Sequence, residues 1–257
     1  MSQTENGVHI AVNNLSKQFG SLSVLEHVDI TIEAGDFVAI VGRSGCGKST
    51  LLRLISGLDQ PSSGGISVAN QEVRGVNSDV RFVFQEARLL PWKTAVDNVK
   101  LGAPNRDQKT ALSALASVGL EDRAKNFPIV LSGGQRQRVS LARAIAGKPR
   151  ALLLDEPLGA LDALTRIEMQ NLVETLWLEQ GFTAVLVTHD VSEAVRLADR
   201  VIVMDHHTVA FDIRITLDRP RQKGPDFAYF EQKILNKVLN IDDTESGSAL
   251  RPGEYAI

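Results

Sequence analysis

Two short runs near the start of the chain, Val8–Val12 (VHIAV) and Val28–Ile32 (VDITI), alternate apolar and polar residues. That is the period of strands with one buried face, and it predicts a small antiparallel β-layer behind a loose tail over residues 1–7. Phe37-Val38-Ala39-Ile40-Val41 breaks the alternation: it is continuously apolar and stops at a glycine-rich loop, as a strand covered on both faces does. Beyond the loop, Leu51, Leu54 and Ile55 recur at helical spacing, and Gly57 supplies the residue that closes a helix. From about Glu86 to Phe127 the pattern becomes helical, with stretches such as TALSALASVGL bracketed by Pro91 and Pro128, and predicts an inserted helical lobe. Strand-like runs return as ALLLD, TAVLVTH and RVIVMD, separated by helical stretches, the arrangement of parallel strands joined by crossover helices. One more helix is expected near Phe227 to Leu239.

The class is therefore α/β, with one domain over 8–215 made of a core (8–85 and 150–215) and a lobe at about 86–149. Residues 216–257 form a short extension, too short to build a regulatory domain. The formal net charge of −3 gives no positive field to hold a phosphate backbone, so nucleic acid is not an expected partner. A single cysteine, Cys46, excludes an internal disulfide and a thiolate metal cage and fits a reducing compartment. The polar N-terminus lacks a secretory pattern, and no apolar run approaches the roughly 20 residues of a spanning helix, so a membrane role has to come through a partner.

Gly42-Arg43-Ser44-Gly45-Cys46-Gly47-Lys48-Ser49 fits the G-x-x-x-x-G-K-[ST] phosphate loop and lies between a buried strand and a helix, the context that motif requires. Glycines let consecutive N–H groups turn toward phosphate oxygens, and the helix beginning around Lys48, Ser49 and Thr50 presents its positive end to the same charge. Lys48 is expected to reach the β and γ phosphates of ATP and the Ser49 hydroxyl to bind Mg²⁺. Ala151–Asp155 is a buried strand run that ends in adjacent carboxylates. Asp155 suits Mg²⁺ and Glu156 the attacking water, the two diverging if strand alternation continues. Leu131-Ser132-Gly133-Gly134-Gln135 opens a helix; alone it also reads as a serine-capped turn, yet it offers a second cradle for anions where one nucleotide needs one.

The ordered set of phosphate loop, Gln85, LSGGQ, LLLDEP, GALD and His189 resembles the nucleotide-binding subunits of ABC transporters from Ile10 to about Ile215. The resemblance implies a P-loop NTPase (RecA-like) core with an N-terminal antiparallel β-layer and an α-helical lobe. It also implies two subunits docked head to tail, with Ser132, Gly133, Gly134 and Gln135 of one closing on the γ-phosphate held by Lys48 of the other. Gln85 resembles the glutamine that contacts Mg²⁺ and water while joining core to lobe, and His189 the histidine that contacts the γ-phosphate and positions Glu156. Asp162 resembles the acid of the loop that crosses to the second subunit, although it also fits a helix N-cap. Phe19 falls where the family stacks an aromatic, commonly tyrosine, on adenine. Cys46 reads as a small packing residue of the loop.

The stretch Val83–Lys93 and the run GALDALTR are similar to the nitrate, taurine and sulfonate import branch. This implies a role in uptake of aliphatic sulfonates, with taurine, nitrate or another small solute as the alternative. The partners implied are a second copy, integral membrane permease subunits and, indirectly, a periplasmic or extracellular solute-binding protein. The implied location is peripheral, on the cytoplasmic face of the inner membrane. Trp92 would lie near the permease, or Leu89, Leu90 and Trp92 simply pack the lobe. A non-transport ABC ATPase of DNA repair or translation is disfavoured by the single phosphate loop, the single LSGGQ and the lack of heptads.

Overall fold

A computed structural model of the chain describes residues 6–241. In chain order the elements are β1 (Ile10–Phe19), β2 (Leu22–Ile32), β3 (Phe37–Gly42), α1 (Lys48–Ile55), β4 (Ser63–Val68), β5 (Gln71–Glu72) and β6 (Val80–Val83). There follow α2 (Ala95–Lys100), α3 (Gln108–Ser117), α4 (Gly133–Ile145), β7 (Ala151–Asp155), α5 (Ala163–Gln180) and β8 (Thr183–Val187). The last are α6 (Val191–Leu197), β9 (Arg200–Asp205), β10 (Thr208–Arg214) and α7 (Pro225–Leu239). The alternating runs lie in an antiparallel sheet of order β2-β1-β4-β5. The continuous runs lie in a sheet of order β10-β9-β3-β8-β7-β6, parallel from β9 to β6 and closed on one edge by the antiparallel β10.

Every residue of β3 is buried, because the parallel sheet has a core on each side. Phe37, Ala39 and Val41 face one core together with Leu152 and Leu154 of β7, Ala184 and Leu186 of β8, and the helices of the segment between β6 and β7. Val38 and Ile40 face the other, with Leu51, Leu52 and Leu54 of α1 and the inner face of the antiparallel sheet. Each fully buried Val, Leu, Ile or Phe side chain among these contributes roughly 1.5–3 kcal/mol by leaving water. Burial on both faces is what replaces the period-2 pattern by an unbroken apolar run. Between β6 and β7 lie α2, α3 and α4 and, among the described residues, no strand. Val139 and Ala142 of α4 and Ala146 at its C-terminal cap are buried.

The turn from β8 into α6 covers a carboxyl group. Glu193 is 4% exposed; its Oε2 accepts from Thr188 Oγ1 at 2.6 Å, and its Oε1 has no hydrogen-bond partner. Loss of water pushes this carboxyl from 4.5 up to about 7, with Asp190 pushing the same way and Thr188, Arg166 and His189 opposing. Because the folded chain keeps this proton after the unfolded chain has lost it, stability from this group is present below pH 4.5 and declines as pH rises to about 7. Glu193→Gln keeps the shape and cannot ionise. Its advantage over the wild type in urea unfolding is expected to grow between pH 5 and pH 8, toward roughly 3 kcal/mol. An advantage that does not change with pH would contradict this account.

Candidate functional site

The loop from β3 to α1 is shaped by close approach of neighbouring backbone. Gly42 has φ 152°, and a Cβ on it would stand 2.1 Å from the Met204 carbonyl oxygen at the end of β9. Gly47 has φ 98°, and its Cβ would stand 2.5 Å from the Val24 oxygen of β2. Both positions exclude any side chain. No side chain caps α1, so the free amides of its first turn and the positive helix end face outward, a setting for an anion. Lys48 is buried and donates from Nζ to the Gly42 and Arg43 carbonyls, both at 2.8 Å. The resulting cleft of about 290 Å³ is lined by Val24, Ser44, Gly45, Gly47, Lys48, Ser49, Thr50 and Glu156. Val24 was not among the expected residues; it is an ordinary strand valine, and only the fold brings β2 to the loop. Cys46 is buried with Sγ 3.7 Å from Lys48 Nζ. The Arg43 guanidinium turns to the carbonyls of Val238 and Leu239, at 3.2 and 3.3 Å.

Ser49 Oγ donates to Asp155 Oδ1 at 2.7 Å, and burial pushes the Asp155 carboxyl up against the lowering effect of that bond. Alternation along a strand does not separate the two acids. β7 ends at Asp155, and Glu156 adopts a left-handed φ of 45°. Its N–H bonds to Val187 O at 2.9 Å while its carbonyl accepts from Gly159 N at 3.2 Å, so a tight turn directs the carboxylate. Glu156 Oε2 lies 3.2 Å from His189 Nδ1 and lines the phosphate cleft. Gln85 comes to the same turn: a Cβ on Gly159 would be 3.8 Å from both Gln85 Nε2 and Glu156 Oε2. Loop, acids, histidine and glutamine are therefore gathered at the C-terminal ends of the parallel strands β3, β6, β7 and β8.

Ser132 caps α4 in a reciprocal box: its Oγ accepts from Gln135 N at 3.1 Å, and Gln135 Oε1 accepts from Ser132 N at 2.9 Å. Gly134 is pressed against Thr165, whose Cγ2 would be 2.4 Å from a Cβ there. Asp162 caps α5, accepting from Thr165 N and Oγ1 at 3.0 and 2.7 Å, and these bonds hold its carboxyl below the usual range. Ser132, Gly134 and Gln135 line their own cleft of about 280 Å³, with Arg138, Thr165 and Glu168 among its walls and no residue shared with the phosphate cleft. One chain does not bring the two cradles together. Phe19 ends β1, half exposed, with Lys17 Nζ 4.6 Å from its ring centre.

Several ties had no distinguishing signal in the sequence. Gln137 of α4 donates to Phe84 O at 3.0 Å, and Arg143 donates to Ala87 O and Arg88 O at 2.9 Å each, so the helix opened by Ser132 holds the backbone on both sides of Gln85. Fully buried Asn98 bonds Leu90 through both its N–H and its carbonyl and also holds the carbonyls of Lys93 and Thr94. On the loop so fixed, Leu89 packs into the core and Trp92 is 71% exposed. Packing into the lobe thus holds for Leu89 and not for Trp92.

Comparison with known proteins agrees with this architecture. The ABC transporter family profile matches residues 25–159. The chain is 60% identical to the aliphatic sulfonates import ATP-binding protein SsuB of Zymomonas mobilis over 232 residues, which is 90% of this chain and 97% of that one. It is 57% identical to the aliphatic sulfonates import ATP-binding protein SsuB 2 of Pseudomonas fluorescens over 91% of this chain and 88% of that protein. Among solved structures, the dimeric post-hydrolysis state of the ATP-binding cassette MJ0796 bound to ADP and phosphate superposes with a TM-score of 0.72 at 35% identity, over 81% of this chain and all of that one. With a phosphate loop, an acid–histidine pair beside it and a serine-capped second cradle on a two-sheet α/β frame, the chain belongs to the ABC transporter ATP-binding family.

Proposed function

We propose that this chain hydrolyses ATP as the motor subunit of an importer for aliphatic sulfonates, working as a head-to-tail pair beneath a separate membrane permease. The observation that carries the motor reading is the Glu156–His189 contact at 3.2 Å on the wall of the phosphate cleft. The relatives named for aliphatic sulfonate import, at 60% and 57% identity, support the cargo.

Within the cleft, Gly42, Arg43, Ser44, Gly45, Cys46, Gly47 and Thr50 supply the loop whose amides receive the phosphates, and Lys48 moves its charge from the loop carbonyls to the β and γ oxygens. Phe19 offers a flat ring for the adenine. Ser49 Oγ and Asp155 Oδ1, 2.7 Å apart, together with Gln85 are hard oxygen donors of the kind Mg²⁺ takes. Among the described residues no group of three His, Cys, Asp or Glu side chains could hold a metal by itself, which fits an ion shared with phosphate. When bound, Mg²⁺ neutralises charge on the phosphate oxygens. Glu156 accepts a hydrogen bond from the attacking water, whose oxygen bonds to the γ-phosphorus as the bond to the bridging oxygen breaks; ADP leaves with that electron pair, and the water's proton passes by way of the Glu156 carboxylate to solvent. His189 orients the carboxylate.

Separation of the two clefts supports pairing. A second copy would bring Ser132, Gly133, Gly134 and Gln135 to the γ-phosphate, with Asp162 at the crossing; that the cleft lined by Ser132, Gly134 and Gln135 shares no wall with the loop supports this reading. Closure would move the lobe at about 86–149 on the core. Gln137 and Arg143 carry that motion to the backbone around Gln85, and exposed Trp92 offers it to the permease. No helix among the described residues is long and apolar enough to cross a membrane, so attachment to the cytoplasmic face of the inner membrane would run through the permease.

Glu156→Gln is expected to retain ATP binding and lose turnover by about 10²-fold or more, read by phosphate release and nucleotide titration; normal turnover would remove Glu156 from the mechanism. Lys48→Ala should weaken ATP binding itself, since the charge facing the phosphates is lost, and unchanged affinity would discredit its role. For the cargo, a strain lacking this chain should fail to grow on an alkanesulfonate as sole sulfur source while growing on sulfate, with rescue by the wild type and not by Glu156→Gln. Loss of growth on taurine or nitrate instead would retain the motor and reassign the solute.

A further inference from the structure

The C-terminal end of α7 is fastened to the phosphate loop. Arg43 donates from Nε to Val238 O at 3.2 Å and from Nη2 to Leu239 O at 3.3 Å. Both acceptors belong to the last turn, whose carbonyls have no partner within the helix and whose dipole end is negative, so a guanidinium there is favoured by hydrogen bonding and by charge. Asn240 closes the helix in the left-handed conformation, φ 57° and ψ 37°, and the Ile241 N–H returns to Asn236 O at 2.9 Å. The Asn240 side chain then donates from Nδ2 to Asp205 Oδ2 at 2.9 Å. Asp205 follows Met204, whose carbonyl fills the space beside Gly42. Gly42 and Arg43 are thus gripped from two directions, by the end of β9 and by the end of α7, and those two ends are tied to each other.

The helix also borders the other side of the site. Ala228, Glu231, Gln232 and Leu235 of α7 face His189 and Ser192 across a groove of about 530 Å³. Phe227 and Ile234 anchor the helix in the core, and Val238 of its last turn packs against the same core, so the register that brings the helix end to Arg43 is fixed. The same Arg43 whose side chain holds α7 accepts at its carbonyl from Lys48 Nζ at 2.8 Å, which puts the tie one hydrogen bond from the charge that meets the nucleotide.

We propose that Arg43 is a positioning residue and that the end of α7 is a latch coupled to the nucleotide: seating of Val238–Asn240 pre-shapes the phosphate loop, and ATP in the loop in turn holds the latch. Pre-shaping strengthens binding by removing ordering that the ligand would otherwise have to impose, and linkage requires the two effects to be equal and reciprocal. The inference rests on the reading of the loop as an ATP site.

The test uses the full chain and Mg·ATP. Asn240→Gly keeps the left-handed helix end, which glycine adopts freely, and removes only the amide bonded to Asp205. It should weaken ATP binding about three- to tenfold with little change in melting temperature. Arg43→Ala should do the same, Arg43→Lys should restore only part because it lacks the fork that spans two carbonyls, and the double variant should be no worse than Arg43→Ala alone. In the wild type, Mg·ATP should slow hydrogen exchange at the Asn240 and Ile241 amides. Nucleotide binding that leaves this exchange unchanged, or an Asn240→Gly chain with wild-type affinity, would overturn the latch and leave the ATPase reading standing. A wild-type chain that binds no ATP would overturn both.

Discussion

Where the first buried parallel strand ends, the Met204 carbonyl occupies the space that a side chain at residue 42 would need. The chain can pass this point only with a bare Cα and a positive φ, and it does so again at residue 47 against the Val24 carbonyl. Between these two approaches the backbone has little choice but to curl. The curl turns amides outward, starts α1 without a capping side chain and draws the Lys48 ammonium onto the Gly42 and Arg43 carbonyls. A site for concentrated negative charge therefore exists as a consequence of strand packing, before any ligand contributes to it.

The two neighbouring carboxylates depend on the same end of the parallel strands. Asp155 is still within β7 and is held by Ser49, whereas Glu156 has left the strand through a left-handed turn stabilised by Val187 O and Gly159 N. A residue other than glycine in that conformation is uncommon. Here the strain has a use: it separates two neighbouring carboxylates without lengthening the loop, and it leaves Glu156 beside His189. Beneath His189, the buried carboxyl of Glu193 braces Thr188, so the segment bearing the histidine is held from below as well as from the strand.

Helix α4 connects the second cradle to the first. Its N-terminus presents Ser132 and Gln135 to a separate cleft, while Gln137 and Arg143 along its body grip the backbone on either side of Gln85. One rigid element thus contacts both the surface that a second subunit would meet and the segment that reaches the acid. Asn98 fixes the loop carrying exposed Trp92 in the same way, by satisfying several backbone groups with a single buried amide.

Periodicity along the chain was enough to place the antiparallel layer, the buried parallel strands and the helices of the segment between β6 and β7, because burial on one face or on two leaves different patterns in local sequence. The phosphate loop, the serine cap before Gln135 and the acid cap before Thr165 were legible for the same reason, since each is complete within a few residues. What the chain could not spell out locally are relations between distant residues. These include the turn that sends Glu156 away from Asp155, the Val24 wall of the cleft, the separation of the two cradles, and the guanidinium of Arg43 spent on a helix end 195 residues away. Such contacts are set by which strand lies beside which and by which backbone groups remain unpaired when the sheets close. Only the tertiary structure decides that.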